Sequence, residues 1–214
     1  MKHNRGMHKW GMLLSASVLV MCAVLVSHAQ AQPAKRGQAV TPLSQPHTPK
    51  QVMSQHTDDL RTLMQALYEL HPEELAKSTQ VGAREMTEWV FDGKAGWRFD
   101  AIRRTQQDQA IALIFDPEYT GDHILALVVG LETLLFHAYG GKNEYEIPAQ
   151  MDEQAVAQAV CQMQGLQKRL QDDAAQAGVF NQAASQQLIQ QTLQTIIQRS
   201  SGKYASQQSA NFNC

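Results

Sequence analysis

Thr120-Gly-Asp-His-Ile-Leu-Ala-Leu-Val-Val-Gly-Leu-Glu-Thr-Leu-Leu-Phe-His-Ala-Tyr139 is the most hydrophobic run downstream of residue 31. Ile124 to Leu131 is apolar without a break, and Asp122 stands where a helix would take its N-terminal cap. The run can be read as a membrane span or as a helix buried on every side. Glu132 and His137 interrupt its second half, and a carboxylate near the centre of a span costs about 2.5–3.5 kcal/mol. The buried helix is therefore expected, with a compact all-α domain built around it.

The flanking segments repeat the helical period. Leu60, Leu63, Met64 and Leu67 form a stripe at spacings of three and four, with Thr57-Asp58-Asp59 as the expected start. His71-Pro72 ends that helix, and Pro72 to Lys77 can form another short one. A third is expected from Gly82 to Phe91, closed at Asp92-Gly93 by a glycine cap. Ala101 to Phe115 ends in Ala-Ile-Ala-Leu-Ile-Phe, which suits a strand or a helix. Its Gln and Ala content favours helix, stopped by Asp116-Pro117. Beyond Gly140-Gly141, Asp152 caps a helix with Val156, Val160, Met163, Leu166 and Leu170 inward. A last helix near Asn181 to Arg199 carries Leu188, Ile189, Leu193, Ile196 and Ile197, with glutamines on its solvent face.

The N-terminus reads differently. Lys2, Arg5 and Lys9 precede an uncharged run, Gly11 to Val26, and Ala29-Gln30-Ala31 has the small-x-small pattern of a peptidase site. Residues 1–31 are thus expected to be a secretory signal peptide cleaved between Ala31 and Gln32. Leu19-Val20-Met21-Cys22 suggests an alternative, lipidation at Cys22, although Met21 replaces the usual small residue. Residues 32–55, with Pro33, Pro42, Pro46 and Pro49, are expected to be a flexible linker, 56–200 the helical domain, and 201–214 a loose tail.

Cleavage changes the composition that matters. The 214 residues carry 18 Lys+Arg against 20 Asp+Glu. Losing three bases with the signal leaves a formal charge of −5, which argues against a nucleic-acid partner. A 43% hydrophobic share excludes a disordered polyelectrolyte, and three cysteines exclude a disulfide-dense mini-protein. Export would permit a bridge between Cys161 and Cys214; a buried Cys161 and an idle Cys214 is the alternative.

Candidate chemistry is sparse. Phe115 to His123 gathers Asp116, Glu118 and Asp122 around Tyr119 and Gly121. Its spacing invites comparison with a calcium loop, but Leu127 stands where the bidentate Glu is needed. A turn plus cap, with Gly121 supplying an unusual backbone angle, competes with ligand or metal binding by Asp116, Glu118 and Asp122, with Tyr119 a further ligand-binding candidate. Trp89, Phe91, Trp97 and Phe99 could form a stacking platform or a core corner, and the large area they bury favours the corner. Glu132 and His137 are five residues apart and so face different ways. No G-x-S-x-G, H-E-x-x-H, C-x-x-C or P-loop occurs, which points away from an enzyme, and nothing implies a metal or cofactor.

Thr57-Asp-Asp-Leu-Arg61, Leu67-Tyr68, His71-Pro-Glu-Glu-Leu75, Phe91-Asp-Gly93, Trp97-Arg-Phe99, Phe115 to Asp122 and Tyr139-Gly-Gly-Lys142 together resemble a family of exported proteins of Gram-negative bacteria. The resemblance spans Thr57 to Leu170. It implies an envelope location, often with a lipidated N-terminus, and no catalytic residue. The resulting expectation is a non-enzymatic binding or interaction module of the periplasm or outside, meeting an envelope protein or small ligand. It would touch membrane only through an uncleaved or lipidated N-terminus. A hydrolase or metal- or ligand-dependent enzyme using Asp116 to Asp122 is the alternative, and a lipid-anchored structural protein the second.

Overall fold

The computed structural model describes residues 48–93, 96–143, 145–173 and 177–202. The signal peptide, the Ala31–Gln32 cleavage site, Cys22 and Cys214 lie outside these residues. Among them are seven α-helices and no strand: α1 (Pro49–Leu70), α2 (Pro72–Ser78), α3 (Ala83–Asp92), α4 (Gln107–Leu113), α5 (His123–Ala138), α6 (Glu153–Asp172) and α7 (Ala183–Gly202). The domain is all-α.

The buried helix is α5. Fourteen of its sixteen side chains are buried, all but His123 and His137, because α1, α2, α4 and α6 pack against it. The long helices close a ring of neighbours, α1 on α5, α5 on α6, α6 on α7 and α7 on α1. Each presents the inward stripe read from the sequence: Leu60, Leu63, Met64 and Leu67 from α1, Val156 to Leu170 from α6, and Ile189, Leu193 and Ile196 from α7. Among the described residues, no helix is long and apolar enough to cross a membrane.

Four expectations need correction. First, α1 begins at Pro49 and not at Thr57, so the expected linker is helical from residue 49 to 55. Thr48 caps it: the Thr48 hydroxyl accepts from Gln51 N (3.2 Å), and Gln51 Oε1 accepts from Thr48 N (2.8 Å). With Pro49 first in the helix, this is a complete capping box, and it brings Val52 and Met53 into the core. At the other end, α7 runs to Gly202, so residues 201 and 202 of the expected tail are helical.

Second, Gly93 caps α3 in an extended conformation (φ −74°, ψ 162°). Glycine is needed there because a Cβ would lie 2.1 Å from the Trp89 carbonyl oxygen. Third, Gly121 has no left-handed angle; a Cβ would meet the Tyr119 hydroxyl oxygen at 2.5 Å and its ring at 2.6 Å. Fourth, Ala101 to Phe115 is not one helix. A 3-10 turn at Asp100–Ile102 and left-handed Arg103 and Arg104 precede α4, which then makes Ala110 to Leu113 helical.

The glutamine faces of α6 and α7 are not wholly solvated. Gln167 Nε2 donates to Gln190 O (3.4 Å) and Gln190 Nε2 donates to Gln167 O (3.2 Å), a reciprocal pair joining the two helices.

Candidate functional site

The acidic loop separates into surface and core. Asp116 stays near the surface, where its Oδ1 accepts from Glu118 N (2.9 Å) in an Asx turn, and Glu118 is exposed. Tyr119 is buried, its hydroxyl donating to the carbonyls of Ala101 (3.0 Å) and Asp122 (3.1 Å). Asp122 is fully buried and caps α5, accepting from Leu125 N (2.9 Å) through Oδ1. Its Oδ2 accepts from Tyr68 and Ser78, both at 2.7 Å. Burial raises its carboxyl above the ordinary range, and bonds from Leu125, Ser78 and Tyr68 oppose that rise.

Beside it, Glu74 accepts from His123 N (2.9 Å), His123 Nδ1 (3.1 Å) and Lys77 Nζ (2.6 Å). Burial pushes the Glu74 carboxyl up, but these bonds together hold it down at about 2. The acids therefore fasten α2 to the start of α5. Among the described residues, no three or more His, Cys, Asp or Glu side chains are grouped to hold a metal ion.

Two buried histidines invite a catalytic reading. His71 lies between Glu73 Oε1 (3.0 Å from Nδ1) and Ser185 Oγ (2.6 Å from Nε2), the spacing of a nucleophile–base–carboxylate chain. His71 and Ser185 are both fully buried, so a substrate cannot reach the hydroxyl; the chain ties the α1–α2 junction to α7. His56 Nε2 lies 3.1 Å from the Tyr139 hydroxyl and 3.2 Å from Ser200 Oγ. Arg199, which only donates, takes Nδ1 at 3.1 Å and also pairs with Asp59. The neutral ring therefore carries its proton on Nε2 and cannot act as a base toward Ser200.

Burial, and then the Arg199 charge, lower His56 to about 3. An unfolded chain takes up that proton near pH 6.5, so between pH 6.5 and 3 the unfolded state binds more protons and stability falls with pH. From pH 7 to pH 5 the fold is expected to lose about 2 kcal/mol through His56. Asp122, raised instead of lowered, works in the opposite direction at lower pH. Urea titrations across this range should show the slope in the native chain and lose it in His56→Gln.

Glu132 and His137 do not converge. Glu132 is buried, its Oε1 accepting from the Thr57 hydroxyl (2.6 Å), whereas His137 is exposed. His137 instead borders a cleft of about 900 Å³ that the sequence alone does not disclose. The end of α3, residues 96–98, the start of α4, the second half of α5 and residues 141–143, 145 and 146 form its walls. Of the candidate residues, Phe91, Trp97 and His137 are found there.

The aromatic corner is thus also a cleft wall. Phe91 meets Trp97 edge-on (5.4 Å), and Trp97 leans on Phe136 (6.0 Å). Phe99 is half-buried against the core, while Trp89, expected in the corner, is 51% exposed. Trp97 holds a left-handed backbone (φ 60°), where a bulky side chain is strained. Gln106 Nε2 supports it by donating to the carbonyls of Gly96 (3.2 Å) and Trp97 (3.3 Å).

Cys161, half-buried on α6, is disulfide-bonded, and its partner lies outside the described residues. No family model, curated protein or solved structure matches the chain.

Proposed function

We propose that this protein is a non-enzymatic binding module of the bacterial envelope, taking a ring-bearing small ligand against Trp97. The observation carrying this reading is the strained Trp97 backbone at the wall of a cleft of about 900 Å³. Such strain persists where packing over-determines it, and it gathers at ligand clamps. A cleft of about 900 Å³ with Phe91, Trp97 and Phe136 along one wall suits a ligand of drug-like size. Burial of Asp122 and Tyr119, and the Asx-turn role of Asp116, weigh against a hydrolase built on that loop.

The periplasmic or secreted location rests on residues 1–31 and on the resemblance to exported proteins; anchoring through Cys22 is its rival. The mass of the processed chain separates a start at Gln32 from an acylated Cys22. Native mass spectra of protein purified from the periplasm should show a small-molecule adduct that Trp97→Ala loses without loss of helicity. Wild type and variant with equal adducts, or none, would refute the cleft as the site.

A further inference from the structure

The cleft reading leaves the ligand's chemistry open, and the polar groups around its rim narrow it. Both acids at the rim with defined contacts are engaged. Asp92 takes two bonds from Arg61 (2.8 and 2.6 Å), which hold its carboxyl below the ordinary range. Glu146 Oε1 accepts from Asn143 Nδ2 (3.2 Å).

Of the donors, Gln106 and Asn143 are engaged as well, but others are not. Among the described residues, the side chains of Arg98, Gln107, His137 and Lys142 make no hydrogen bond or ion pair, and all four line the cleft. Tyr145, 82% exposed, brings a fifth such group, its hydroxyl. The rim therefore offers several N–H and O–H donors and two full positive charges that nothing else in the described structure uses. A ligand matching it must stack against the aromatic wall and accept several hydrogen bonds, most strongly through an ionised oxygen acid.

Resting on the cleft reading above, we infer that the ligand is a ring bearing an anionic group, held by Arg98 and Lys142 while its ring lies against Trp97. An aromatic acid and an acidic sugar share this chemistry, and matched probes tell them apart.

Calorimetric titration of the full chain would compare 2-naphthoate with 2-naphthamide, and N-acetylmuramic acid with N-acetylglucosamine. Within each pair the ring is kept and the acid is removed. At least one acid should bind about tenfold more tightly than its neutral twin. The Arg98→Gln, Lys142→Gln double variant should erase that advantage by weakening the acid about tenfold more than its twin; both substitutions are at exposed positions and should keep the fold. Acid and twin binding alike, with Trp97→Ala weakening both, would overturn the anionic assignment while keeping the cleft as the site. Binding of no probe, or binding indifferent to Trp97→Ala, would remove the cleft reading and this inference with it.

Discussion

Asp122→Ala should lower stability by about 3–5 kcal/mol in chemical denaturation, although it removes only one short side chain. Losing the cap on α5 accounts for about 0.5–2 kcal/mol of this. The larger share comes from what the carboxylate leaves behind. The Tyr68 hydroxyl is buried and would lose its acceptor, at about 1–3 kcal/mol, and the half-buried Ser78 would lose the same partner. Asp122→Asn should cost far less, about 1 kcal/mol, because its amide oxygen can still cap Leu125 and both hydroxyls can turn to accept from the amide nitrogen. Removing a charge that burial already disfavours helps it further. Asp116→Ala, in the same loop, should change stability by only about 1 kcal/mol, since it loses one Asx-turn bond and a 3.9 Å ion pair with the exposed Arg103 at a half-exposed site. Equal losses for Asp116→Ala and Asp122→Ala would contradict the separation of the loop into surface and core.

Gly130 carries the second large expectation. It lies within α5 where α4 crosses, and a Cβ there would meet Ile111 Cγ1 at 2.6 Å and Gln107 O at 2.9 Å. Alanine would raise helix propensity by about 1 kcal/mol, yet the crossing cannot accommodate the methyl without displacing backbone. Gly130→Ala is expected to be destabilising by about 2 kcal/mol net, and Gly130→Leu to prevent α4 from docking. The effect should reach the cleft as well. Gln107 N donates to Thr133 Oγ1 (2.8 Å), so α4 carries one cleft wall into place through this contact. Thermal melts would give the stability loss, and Trp97 fluorescence would report a disturbed wall at temperatures where α5 is still helical. A neutral Gly130→Ala would mean that the helices do not approach this closely.

The sequence disclosed what is local. An unbroken apolar run can only be a helix covered on all sides once Glu132 argues against lipid, and α5 is that helix. Asp122 and Asp152 are caps legible from a few residues, because a cap acts on its own first turn. The start of α1 was also local but hidden. Pro49 and Gln51 suit a linker as well as a helix, and only the reciprocal Thr48–Gln51 bonds decide between them. The cleft was not legible, since its walls come from segments between residues 90 and 146 that only the α4–α5 crossing brings together. Trp97 could be singled out by residue type; its backbone strain could not. The buried roles of His56 and His71 were not legible because Tyr139, Ser185 and Ser200, which their Nε2 atoms meet, lie 83 to 144 residues away.

That separation bears on how the chain must fold. His56, near the beginning of α1, meets Ser200, near the end of α7, across 144 positions of sequence. During synthesis α1 emerges early, yet Arg199 and Ser200, which complete the bonds of its imidazole, arrive with the last helix. Until then Leu60, Leu63 and Leu67 lack one of their neighbouring helices, and a chain halted before residue 183 cannot close the ring. Closing so long a loop adds little equilibrium cost for its length, because the entropy grows only logarithmically. It does mean that the ring of helices closes only when nearly the whole domain is available.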